Sequence, residues 1–273
     1  MNRFFALLLL PLVVLQGCAS APKPTASGIA TDRPLTTTRD ETYSTSARYV
    51  KADAILTVQR VAPPRVRVAE GAFAEGITPL QAALVANRAA RDVCVQLARH
   101  FVLDGANPEL DVELVVTALR PTSSGAAGAS AVLGVFVPGP FRLPAGLGGF
   151  AADGVARLGN EGVLLLRWAE GAGAITEDAK VSPIGDAYQL AANFADDFSE
   201  GLVDPRGRDV EGKPRVAAEV RASNDALCLA RFGKASIAGR GASMLLPLSP
   251  EAIDRGAPAD RPADLEKRSL PRR

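Results

Sequence analysis

Histidine occurs once in this 273-residue chain, at His100, tryptophan once, at Trp168, and aromatic residues make up only 5%. A metal site takes three or four ligands, and no Cys or carboxylate cluster accompanies His100 at ligand spacing. A Ser-His or Cys-His nucleophilic device would have to recruit that residue, and no nucleophile-elbow pattern goes with it. Charge of one sign is missing too. Lys and Arg number 31 against 30 Asp and Glu, so nothing provides the basic footprint that nucleic acid or acidic lipid requires. No apolar run reaches the roughly 20 residues that cross a bilayer, and no internal repeat is visible. With few aromatics, 25 Gly and abundant Ala, the core is expected to consist largely of small side chains. The length allows one large domain or two small ones.

What is present begins at the N-terminus. Arg3 is the only charge before Cys18, and residues 4–15 are all apolar or Pro. A charged start, a short apolar stretch and a small residue at its end describe a secretory signal. Leu15-Gln16-Gly17-Cys18 resembles the bacterial lipobox. That resemblance implies cleavage before Cys18 and lipid on its thiol and new amino group. Two or more acyl chains anchor stably where one does not. Ala19 and Ser20, rather than Asp, follow the Cys, which implies the outer membrane, facing the periplasm. Loss of residues 1–17 removes Arg3 and leaves a neutral chain.

Two further cysteines remain, Cys94 and Cys228. In an oxidising compartment they form a disulfide or stay as two separately buried thiols. Residues 18–45, rich in Thr, Ser, Pro and Ala, read as a lipidated Cys and flexible tether. Residues 54–61 read as a strand and residues 65–68 as a second one. The clearest helix follows Thr78-Pro79, an N-cap and first-turn Pro. Ala86, Ala90, Val93, Leu97 and Phe101 lie on one stripe of it, opposite Arg88, Asp92 and Arg99. Residues 109–120 alternate, with Val115 the apolar exception on the wetter face. Residues 123–149 are apolar but rich in Gly and Pro, and Pro138, Pro140 and Pro144 forbid a spanning helix. That segment reads as a long packed connection, or as a membrane- or partner-facing loop. Residues 150–157 and 163–168 pair as a hairpin. A second helix begins at Asp186, with Gln189 completing a capping-box-like start. A third, shorter one is read from Ser223-Asn224 through Cys228 to Phe232.

Candidate chemistry is thin. Asp111 and Glu113 share a strand face about 7 Å apart, a permissive distance for acid/base work and equally that of a solvated face. Asp196 and Asp197 are helix neighbours pointing about 100° apart. Gly146, Gly148 and Gly149 lack the strand-to-helix context of a phosphate loop. Arg167, Trp168 and Glu170 form a weak candidate binding site, with the lone Trp either an anchor or the lid of a core. No catalytic residues, metal ligands or cofactor emerge.

The run "LLLRWAEGAGAITEDAKVSPIGDAYQLAANFADDFSEGL" (164–202), with "SARYVKADAILTV" (46–58), resembles a family of proteobacterial outer-membrane lipoproteins of unknown function. The resemblance implies a tethered α+β domain without established activity. The expected architecture is α+β, a mixed or antiparallel sheet of about 4–5 strands with two main helices packed on one face. Its boundaries are a signal peptide (1–17), tether (18–45), domain (46–204), C-terminal appendage (205–255) and disordered tail (256–273). The expected role is a non-enzymatic binding or scaffold module held in the outer membrane by lipid on Cys18, with an envelope protein partner or self-association and no nucleic acid. The alternative is an oligomeric outer-membrane assembly or pore component inserting residues 131–150.

Overall fold

Residues 110–120, the longest alternating run, become the spine of a sheet. The computed structural model describes residues 20–30, 33–122, 148–172, 182–207, 215–235 and 249–257. Its strands are β1 (Thr36–Asp40), β2 (Ser44–Val50), β3 (Arg60–Val61), β4 (Arg65–Val68), β5 (Val102–Leu103), β6 (Leu110–Arg120), β7 (Gly149–Leu158) and β8 (Glu161–Gly171). Its helices are α1 (Ala52–Thr57), α2 (Pro79–Leu97), α3 (Gly185–Val203), α4 (Ala218–Phe232) and α5 (Pro250–Ile253). The sheet runs β1-β2-β8-β7-β6-β3-β5, with β4 also pairing β6. Pairs from β1 to β6 through β8 and β7 are antiparallel, whereas β3 and β4 run parallel to β6.

Both counts in the expected architecture are corrected. The sheet is mixed but has eight strands, not 4–5, and three helices are substantial, not two. Two of the added strands are only two residues long, too short to leave a period in sequence. β1 and β2 come from stretches of Thr, Ser and Arg whose weak alternation carries little strand signal.

α2 and α3 pack side by side on the inner face. The capping box at Thr78 is complete, since its hydroxyl accepts from the Gln81 amide and Gln81 Oε1 accepts from the Thr78 amide. Ala86, Ala90, Val93 and Leu97 are buried as the periodicity predicts. Asp186 does not cap α3. It lies within the first turn, fully buried, and its Oδ2 accepts from Thr122 Oγ1 at 2.8 Å and the Gly148 amide at 2.7 Å. Gly154 of β7 lets α3 approach the sheet, because a Cβ there would sit 2.5 Å from the Phe198 ring. The β7–β8 hairpin closes through Gly159, at φ +59°, and Asn160, as the short turn requires.

Residues 52–57 form α1 rather than a strand. Its Ile55 is fully buried, and short apolar runs do not distinguish the two states. α4 starts earlier than expected, so Asn224 lies inside it rather than at its cap. Asn224 is buried and serves the end of α2, donating to the Ala98 and Phe101 carbonyls and accepting from the Leu103 amide. Cys94 and Cys228 are disulfide-bonded, joining α2 to α4 across 134 residues of sequence.

The stretch expected to be a tether takes a defined path where the structure describes it. From Ser20 the chain lies across the outer face of the sheet as a strap. Ala21 N donates to Thr42 O, Thr25 N and Oγ1 to Thr117 O, and Ser27 Oγ to Asp153 Oδ2. Ala21 packs on Ala118, Ala151 and Ala169, and Ile29 on Ala69, Ala72, Val115, Val155 and Leu165. Hydroxyl and small residues resemble a linker in composition, but here they satisfy and cover a flat Ala-rich face. The strap also accounts for Val115, which is buried beneath it. Cys18 and all of 131–150 except Gly148, Gly149 and Phe150 lie outside the described residues, and Phe150 is a fully buried core side chain. Among the described residues no helix is long and apolar enough to cross a membrane.

Candidate functional site

Strand alternation splits the three residues expected to form one site, sending Arg167 to one face and Trp168 and Glu170 to the other. On β8, Leu164, Leu166 and Trp168 join the inner core, and Leu165 and Ala169 pack under the strap. Trp168 is 2% exposed and packs near Phe150 and Phe194. Its indole donates to Asp197 Oδ2 at 2.7 Å. It is therefore a core lid, not an exposed anchor.

Glu170 borders a hollow of about 450 Å³ with Arg39, Tyr43, Asn193, Asp196 and Asp197. Burial pushes its carboxyl up, against the pull of Ser44 and Arg39. Ser44 Oγ lies 3.1 Å and Arg39 Nη1 3.4 Å from Glu170 Oε2, while Arg39 Nη2 is 3.5 Å from Asp197. Arg39 thus bridges two carboxylates from two elements.

Arg167 faces the other way, into a groove of about 610 Å³ between strap and sheet, with Ser27, Thr37, Thr45 and Asp153 in its lining. The groove's floor includes a cross-strand row, Asp153–Arg167–Ala47. Asp153 is the unusual member, a carboxylate in the middle of a strand whose buried residues, 149–156, are otherwise small or apolar. Burial pushes it up, while the Ser27 hydroxyl at 2.6 Å and Arg167 at 3.7 Å favour the ionised form. Its signal in the sequence is the single acid among the small and apolar residues of "FAADGVA". Ser27 had no legible signal, because its role depends on the strap's path.

Asp111 and Glu113 do share a face, though both are absorbed by arginines. Asp111 is 3.7 Å from Arg65, and Glu113 lies 3.3 Å from Arg67 and 3.0 Å from Arg157. Burial alone would raise the Glu113 carboxyl, but the two guanidinium hydrogen bonds outweigh it and hold it below the usual range. An acid held ionised in this way is a poor proton donor. His100 sits half-buried in the turn after α2. Among the described residues no group of three or more His, Cys, Asp or Glu is placed to hold a metal ion.

A second buried polar cluster, joining residues distant in sequence, has no local sequence signature. Arg91 Nη2 reaches Asp254 Oδ2 at 2.6 Å and Tyr188 OH at 3.0 Å, and Tyr188 OH also donates to Asp254. Burial raises Tyr188 to about 12. Burial also raises Asp254, but Arg91 and Tyr188 overcome it and leave that carboxyl lowered. The three link α2, α3 and the segment after α5. They lock the C-terminal segment down and face no cavity among those described.

Among solved structures, the chain is similar to the dodecamer of a PelC variant from Paraburkholderia phytofirmans, with 10% identity, 57% of this chain and 95% of that chain covered, and a TM-score of 0.36. A second PelC dodecamer from the same organism gives the same identity and coverage with a TM-score of 0.33. Similarity this low assigns neither fold nor function. No curated protein matches the chain. A family model does, over residues 25–198, and its first residues lie in the strap. That span is more than half the chain, which therefore belongs to the DUF3313 family of proteins of unknown function.

Proposed function

We propose that this protein is a lipid-anchored envelope protein, held in the outer membrane through Cys18, that works as a non-enzymatic binding or scaffold module. The observation that carries the binding role is the groove between strap and sheet. It offers the guanidinium groups of Arg167 and Arg39 and the hydroxyls of Thr37 and Thr45 around a carboxylate whose position is set by Ser27. Such a mixed donor and acceptor surface suits an extended polar chain, such as a peptide backbone of an envelope partner. The carboxylate pair that the sequence offered for acid/base work, Asp111 and Glu113, is occupied by Arg65, Arg67 and Arg157. This favours binding over chemistry. The anchoring half rests on the lipobox-like Leu15–Cys18 stretch and its apolar lead.

The test is photo-crosslinking in the native host. A photoreactive residue replaces Thr45 or Arg167 in the groove, and Asn160 at the far hairpin as control. A discrete adduct from the groove positions, absent at Asn160, is expected. No adduct from either groove position would end the binding reading.

A further inference from the structure

The strap changes where the domain must stand if Cys18 carries lipid. Ser20 is already fixed to the sheet. Its hydroxyl accepts from Arg120 Nη1 at 3.2 Å, and the next amide, Ala21 N, donates to Thr42 O at 2.9 Å. Its carbonyl lies so close to Gly171 that a Cβ there would meet it at 2.3 Å. Only Ala19 separates this fixed residue from Cys18. Two residues of fully extended chain span at most about 7 Å. A tether of some 25 residues would have allowed a reach of roughly 25–30 Å. The ordered domain therefore begins within one headgroup layer of the acyl chains, that layer being on the order of 5–8 Å thick in each leaflet.

Other features gather at the same end. β6 finishes at Arg120, β7 starts at Gly149, β8 finishes at Gly171, and the β1–β2 turn brings Tyr43 beside them, its carbonyl accepting from the Gly171 amide at 2.8 Å. Tyr43 is one of four large exposed hydrophobic side chains among the described residues, at 48%. A second, Leu80 at 61%, sits in the first turn of α2. That turn is tied to this end through Gln81–Glu251–Ser182 and the Thr122 amide on Pro183 O. Tyr suits the boundary between water and lipid, where its ring and its hydroxyl each find a favourable medium. The opposite end of the sheet carries the polar Gly159–Asn160 turn and the ion pair of Lys51 with Glu161.

We propose that the sheet end bearing Ser20 and Tyr43 rests directly on the headgroups of the membrane that holds the Cys18 lipid. This rests on the anchoring part of the function proposed above. It gives the molecule a fixed orientation. The strands stand off the bilayer, and the groove at Asp153 and Arg167 is held partway up their length at a constant height, rather than swinging on a tether. Lipid chains supply the attachment, and the short link supplies the orientation.

The test uses full-length acylated protein reconstituted in vesicles of phosphatidylethanolamine and phosphatidylglycerol. Thr42→Cys and Asn160→Cys, both at exposed turn positions, are labelled separately with bimane, the Cys94–Cys228 disulfide being left oxidised. The 11 residues of β8 separate the two sites, a distance of about 35 Å at strand rise. A phosphatidylcholine carrying a nitroxide on its headgroup is then added as quencher. Severalfold stronger quenching at position 42 than at position 160 is expected. Equal quenching, or stronger quenching at 160, overturns the orientation. Intact mass of the same sample separates the two ideas. An unacylated Cys18 overturns the anchoring and the orientation together, whereas an acylated Cys18 with equal quenching overturns the orientation alone.

Discussion

Replacing both Cys94 and Cys228 with Ala removes a cross-link that closes 134 residues. In the chain-entropy treatment a loop of that length destabilises the unfolded chain by about 5 kcal/mol at 25 °C, with native examples spanning roughly 2–5. The Ala pair avoids leaving buried thiols in place of the bridge, both cysteines being at most 1% exposed. Without the bridge α4 is still held by the three Asn224 hydrogen bonds, by Phe232 and by Asn87 Nδ2 donating to Phe232 O at 2.9 Å. The fold should therefore survive with a loss of about 3–5 kcal/mol. Urea unfolding followed by the fluorescence of Trp168, the lone and buried Trp, measures it directly. The slope should rise as well, because an uncross-linked unfolded chain exposes more surface. Amide exchange should quicken more in α4 than in α2. A loss below about 1 kcal/mol with an unchanged slope would refute the entropic reasoning.

Three other outcomes follow from buried groups. Asp254→Asn breaks a fully buried ion pair and should cost about 3–5 kcal/mol at neutral pH. Because the folded carboxyl is lowered, its contribution is complete above the usual Asp value of about 4 and fades as pH falls through the folded value; urea titrations of both proteins should converge in acid, and parallel curves would contradict this. Asp153 has the opposite sign. Its raised carboxyl favours the protonated form in the folded state, so wild-type stability falls relative to Asp153→Asn as pH rises from about 4 through the folded value. The Asn variant should be at least as stable as wild type at neutral pH, and a clear loss there would show that the charge itself holds the strap. Gly154→Ala places a Cβ against the Phe198 ring and should cost about 1–3 kcal/mol as α3 is pushed from the sheet, read as a lowered thermal midpoint; an unchanged midpoint would mean that α3 shifts freely.

What the sequence made legible was the structure with a strong local period. α2 with its Thr78 cap, the alternating β6 and the short hairpin turn all declare themselves within a dozen residues, because burial on one face and backbone satisfaction at the ends are local demands. The rest depends on distant partners. β3 exists only because β6 lies beside it, β5 only because β3 does, and α1 forms where the chain turns off β2. The strap looks like linker until the Ala-lined face it covers is known. The candidate site divided for the same reason. Arg167, Trp168 and Glu170 are adjacent in sequence, yet alternation sends Arg167 to the groove and Trp168 into the core. Asp153 was the readable clue, one acid in an apolar strand, while Ser27 and Asp254 could be found only in three dimensions.

The central claim, a folded envelope module fixed to the membrane through Cys18, is tested most directly by intact mass spectrometry of the protein isolated from its native membrane, with and without reduction. The account predicts a chain beginning at Cys18 with the mass of its acyl groups, and a gain of two hydrogens on reduction of Cys94–Cys228. A chain retaining residues 1–17, or an unmodified Cys18, would contradict it.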